Sequence, residues 1–97
     1  MKAVFSSGAN RDIKKILEYY SVEAGADIAM DFHTEMESTI DRIKLWPKSF
    51  SPIGDGFRRA VLRRFPYQVV YRIESADRIR ILVIRHHKRT PDFGLDG

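Results

Sequence analysis

Apolar residues recur at steps of three and four through the first half of the chain. Ile13, Ile16, Leu17, Tyr20 and Ala24 form one such series, and Ile28, Phe32, Met36, Ile40 and Ile43 form a second, with charges between. Steps of that size stack side chains on one helical face, so both series predict amphipathic helices. Ser7 or Asn10 is placed to cap the first helix, and Gly25 to end it. The second ends before Trp46-Pro47, since proline disfavours helical geometry in the residue ahead of it. A link as short as Gly25 makes the pair an antiparallel helical hairpin.

After Pro47 the period changes. Runs at about 57–64, 66–73 and 78–86 read as strands. Links this short join antiparallel neighbours, hence a meander. Pro66 falls between two runs, where its missing donor does least harm, and Glu74-Ser75-Ala76-Asp77 is a polar turn. Lys2–Ser6, with Val4 and Phe5, predicts a short first strand, and residues 46–56, with two prolines and two glycines, a loop. Trp46 and Phe50 are expected as lids of the core. The architecture is α+β, β-α-α-β-β-β, with a helical hairpin packed on one face of a small antiparallel sheet. It makes one domain over residues 1–97, with an irregular tail at about 92–97.

Alternation along strands sorts the side chains into two faces. Tyr67, Val69, Tyr71 and Ile73, with Ile79, Ile81 and Val83, are expected to pack on Ile13, Leu17, Phe32 and Ile40. Opposite them fall Gln68, Val70, Arg72, Arg80, Leu82, Ile84 and His86, joined by Arg58, Ala60, Leu62 and Arg64. That second face has an apolar stripe of Leu62, Val70, Leu82 and Ile84 rimmed by arginines. Left bare it would drive association, so a protein partner, or else the chain's own tail or self-association, is expected to cover it.

Charge sharpens this expectation. The net charge is +4, but residues 1–45 carry eight acids against six bases, and residues 46–97 carry eleven bases against five acids. The positive charge belongs to the strand half, which points to an anionic partner there. With no cysteine, disulfides and cysteine-based metal or nucleophile sites drop out, and a cytoplasmic location is expected. No leader-like or membrane-spanning apolar run is present. His33, His86 and His87 lack metal-ligand spacing, so neither metal nor cofactor is expected. Glu35 and Glu37, two apart on a helix, diverge and do not form an acid–base pair.

The order of elements, with Arg64-Phe65-Pro66-Tyr67-Gln68-Val69-Val70-Tyr71-Arg72-Ile73 and the ending Ile84-Arg85-His86-His87-Lys88-Arg89-Thr90-Pro91, resembles the RelE/ParE superfamily of type II toxin–antitoxin toxins. The resemblance spans nearly the whole chain. It implies a small bacterial toxin of a plasmid-stabilisation type of system, neutralised by an antitoxin whose C-terminal segment wraps it. RelE-like members cut mRNA on the ribosome, and ParE-like members inhibit DNA gyrase without cleaving RNA.

RNA cleavage through the 2′-OH needs a proton acceptor, a proton donor and cations around the crowded phosphate. In RelE-like nucleases, the resemblance implies, lysines and arginines on the middle strands and C-terminal end supply these, with a C-terminal tyrosine. Those positions fall here on Arg59, Val61, Gln68 and Arg89, and no tyrosine follows Tyr71. Two of the five keep their charge, which favours the ParE type. The alternative is a nuclease built on His86 or His87, with Arg59, Arg85 and Arg89 on the phosphate. At most one of the adjacent histidines can share the open face. The sheet's basic face shows no aromatic for base stacking, which counts against a plain nucleic-acid-binding domain. The expected partners are a cognate antitoxin and DNA gyrase, or the ribosome and mRNA in the alternative, with a homodimer or a heterotetramer with antitoxin as the assembly. Arg58, Leu62, Arg64, Gln68, Val70, Arg72, Arg80, Leu82, Ile84, Arg85 and Lys88 are the expected binding residues.

Overall fold

The computed structural model of the chain describes residues 1–87. Its elements are β1 (Lys2–Phe5), α1 (Ser7–Glu23), α2 (Ala26–Leu45), β2 (Ser51–Gly54), β3 (Phe57–Val61), β4 (Tyr67–Ser75) and β5 (Arg78–His86). The helices pack on one face of a five-stranded sheet ordered β1-β5-β4-β3-β2. β1 runs parallel to β5, and every other pair is antiparallel. The α+β hairpin-on-sheet architecture holds, with one strand more than the periodicity predicts.

That extra strand is β2, within the segment expected to be a loop. Its glycines and Pro52 read as breakers, yet both fit a hairpin to β3. Gly54, Asp55 and Gly56 all have positive φ (102°, 55° and 82°), the tight turn that glycine permits. Pro52 sits on an edge strand, where no ladder donor is needed.

Ser6, not Ser7 or Asn10, caps α1, its Oγ accepting from the Ala9 N–H at 3.0 Å. Gly25 (φ 98°) joins the helices, donating its N–H to the Tyr20 carbonyl and accepting from the Ala29 N–H. The core forms where Phe32, Met36, Ile40 and Ile43 of α2 meet Val69, Tyr71, Ile79, Ile81 and Ile84 of the sheet. Phe32, Phe65, Tyr20 and Tyr67 meet edge-on or tilted, with ring centroids 5.3–6.4 Å apart. Phe50 packs on this core, but Trp46 does not: it is exposed at the end of α2.

Candidate partner-binding face

The face of the sheet turned away from the helices is built by register. Phe57 pairs with Arg72, Arg59 with Val70, and Val61 with Gln68. On the other side of β4, Val70 pairs with Val83, Gln68 with Arg85, and Arg72 with Arg80. Paired residues share a face. The result is an apolar centre of Phe57, Val61, Val70 and Val83 ringed by Arg59, Arg72, Arg80 and Arg85. Ile53, Phe57, Val70, Leu82 and Val83, with Arg72 and Arg85, line a shallow depression of about 360 Å³ in it. The face was expected to lack aromatics, but Phe57 lies on it under the Arg72 guanidinium, 5.6 Å from the ring centroid.

The arginines are held differently at the two ends. Arg80 Nε donates to Glu74 Oε2 at 2.5 Å, and Arg72 Nη2 lies 3.9 Å from the same oxygen. The hydrogen bond from Arg80 is the main reason the Glu74 carboxyl titrates below its ordinary range. At the other end Gln68 is fully buried. With its amide oxygen assigned toward Arg85, it accepts from Nε at 2.8 Å and from Nη2 at 3.2 Å.

Several residues expected here lie elsewhere. β3 has the opposite phase to the one expected, because Arg58 pairs with Tyr71 and Ala60 with Val69, both on the helix side. Arg58 therefore donates to the Lys48 and Phe50 carbonyls at 3.2 and 2.7 Å and ties down the segment after α2. Leu62 is in the core. Arg64 reaches Asp31 of α2, Nη2 to Oδ2 3.3 Å. Ile84, expected on the open face, is buried at 3% exposure, while Val83, expected in the core, lines the open depression. The cause is a β-bulge: Tyr71 pairs with Ile81 and Val70 with Val83, leaving Leu82 as an extra residue. One extra residue reverses every alternation after it.

The bulge also moves the histidine. His86 pairs with Tyr67 on the helix side, with ring centroids 5.3 Å apart, and borders a cleft of about 390 Å³ with Lys15, Tyr19 and Tyr20. The sheet therefore stands between His86 and the open-face Arg59 and Arg85. His87 follows the strand, donating its N–H to the Pro66 carbonyl at 3.0 Å, with its ring stacked 6.2 Å from that of His86. Lys88, Arg89 and the 92–97 tail lie outside the described residues.

Glu35 has a role that its spacing from Glu37 did not reveal. Its carboxylate accepts from the backbone N–H groups of both Arg63 and Arg64, the latter at 3.0 Å, and pins the β3–β4 turn to α2. The available signal was Asp31 and Glu35, four apart on one helical face. Among the described residues, no group of three or more His, Cys, Asp or Glu could hold a metal ion, and no helix is long and apolar enough to cross a membrane.

The family model for the ParE toxin of the type II toxin–antitoxin system parDE matches residues 3–91. The chain belongs to the ParE toxin family. A curated ParE-family relative, Toxin ParE2 of Mycobacterium tuberculosis, is 29% identical over 86 residues, covering 89% of this chain and 81% of that one. Among solved structures, the chromosomal ParDE toxin–antitoxin system from P. aeruginosa contains a chain that superposes with a TM-score of 0.78 at 20% identity, covering 89% of this chain and 95% of that chain. The isolated E. coli RelE toxin superposes at 0.61 with 12% identity, covering 97% and 92%. These two share the fold. Membership in the ParE family makes the chain the toxin of a type II toxin–antitoxin system and implies a cognate antitoxin as its partner.

Proposed function

We propose that this ParE-family toxin inhibits DNA gyrase by protein contact, and that its antitoxin neutralises it by covering the open sheet face and the helical hairpin. Growth inhibition in the bacterial cytoplasm, in the service of plasmid stabilisation, follows from that reading. The observation that carries it is the chemistry of the open face. Where the resemblance to RelE-like nucleases would place two cations, this chain has exposed Val61 and buried Gln68. Neither can stabilise a phosphate in flight. His86, one of the two acid–base candidates, lies on the other side of the sheet from Arg59 and Arg85. Arginines around an apolar centre instead suit an acidic, amphipathic protein segment. A heterotetramer with antitoxin, or a homodimer, is the proposed assembly.

The reading is tested with purified toxin in two assays run side by side, gyrase supercoiling and ribosome-dependent mRNA cleavage. Inhibited supercoiling with intact mRNA is the expected result. The alternative, a RelE-like endoribonuclease, draws on Arg59 and Arg85 sharing one face. mRNA cleavage that disappears in His86→Ala or His87→Ala would establish it and overturn the gyrase reading.

A further inference from the structure

The bulge that places Arg85 is held from outside the sheet. β1 covers the outer edge of β5 only as far as the Phe5–Ile81 pair. Beyond it, α1 and its N-cap Ser6 supply the partners that a strand would otherwise give. Ser6 N–H donates to the Ile81 carbonyl at 2.9 Å, and Ser6 Oγ donates to the Leu82 carbonyl at 2.8 Å. Two residues further on, Asp12 Oδ2 accepts from the Ile84 N–H at 3.0 Å. These contacts bracket the bulged residue on both sides. A regular β5 would put Ile84 on the open face and Arg85 toward the helices. It would also withdraw the Ile84 N–H from Asp12.

We propose that Asp12, assisted by Ser6, is a positioning residue for the partner-binding face: it locks the Leu82 bulge and so turns Arg85 onto that face against Gln68. This rests on the reading of the open face as the antitoxin-binding surface. Asp12 itself lies on α1, on the helix side of the sheet, and acts through the backbone of β5.

The test is a double-mutant cycle between Asp12→Ala and Arg85→Ala. Its readouts are affinity for the antitoxin encoded beside the toxin gene and the NMR signals of the Gln68 side-chain amide. We expect each single change to weaken affinity about tenfold, and the double change to weaken it no further, as for residues acting through one contact. Asp12→Asn keeps an acceptor for the Ile84 N–H and is expected to restore affinity to within about threefold of the parent. Should Asp12→Ala not fold, Asp12→Ser, too short to reach Ile84, takes its place in the cycle. Multiplying losses in the double variant, or unchanged affinity and Gln68 signals in Asp12→Ala, would overturn the proposal. If Arg85→Ala alone leaves affinity unchanged, it is the binding-face reading that fails. Positioning is then judged by whether Asp12→Ala shifts the Gln68 signals as Arg85→Ala does, and it is wrong if they stay in place.

Discussion

Tyr71 shows how one side chain joins two parts of this molecule. It is fully buried in β4, and its hydroxyl donates to the Pro47 carbonyl at 2.5 Å, just past the end of α2. Burial raises its pKa above the ordinary tyrosine value, with the Arg58 charge opposing, so the donor proton stays in place at neutral pH. Tyr71→Phe leaves that carbonyl without its donor. We expect a loss of about 1–2 kcal/mol in urea unfolding, with the fold retained. Glu74 gives a pH signature. Its folded pKa lies below the ordinary carboxylate value, chiefly through the Arg80 hydrogen bond. The unfolded chain therefore binds the proton first, and stability falls as pH drops from about 4.3 toward the folded value. The contribution is complete above that window. In urea midpoints measured against pH, Glu74→Gln is expected to remove this part of the acid slope and leave the rest.

Elements are joined here by side chains reaching across to backbone. Glu35 of α2 holds the two N–H groups of the β3–β4 turn, as Asp12 of α1 and the N-cap Ser6 hold the edge of β5. Glu35→Ala exposes those donors to poorer partners. We expect it to cost about 1–3 kcal/mol and to speed amide exchange at Arg63 and Arg64 ahead of the rest of the sheet. The helices were legible in sequence because their apolar period is long and regular. β2 was not, because Pro52, Gly54 and the following Gly56 describe a loop and an edge hairpin equally well. The phase of β3 was not legible either. Arg58, Ala60, Leu62 and Arg64 alternate with Phe57, Arg59, Val61 and Arg63, and arginine occurs in both sets. Only pairing with β4 decides which set faces the helices.

At the scale of the whole molecule, the two faces of the sheet divide the work. One face is the core, where α2 contributes Phe32, buried completely. Truncation to Phe32→Ala is expected to cost about 3–5 kcal/mol, read from thermal or urea unfolding. The other face is basic with an apolar centre. A partner docking on that face, as proposed, would be steered at long range by its charge, and salt would screen the attraction. We expect toxin–antitoxin association to slow several-fold as salt is raised from about 50 to 500 mM. Arg59→Glu should slow it at low salt and flatten the salt dependence, measured by stopped-flow or surface binding kinetics.

The sequence by itself determined every element type except β2, the helical hairpin, the strand-half basic charge and the superfamily resemblance that the ParE family match bears out. These are local or additive properties, readable from periodicity, breakers and residue counts. Tertiary structure alone decided which residues occupy the open face. A strand's alternation gives two sets of side chains without saying which is inside, and a single extra residue exchanges them. The Leu82 bulge is held by Ser6 and Asp12, more than 70 positions away in the chain. No pattern within β5 could reveal that Ile84 and His86 turn inward while Val83 and Arg85 turn out.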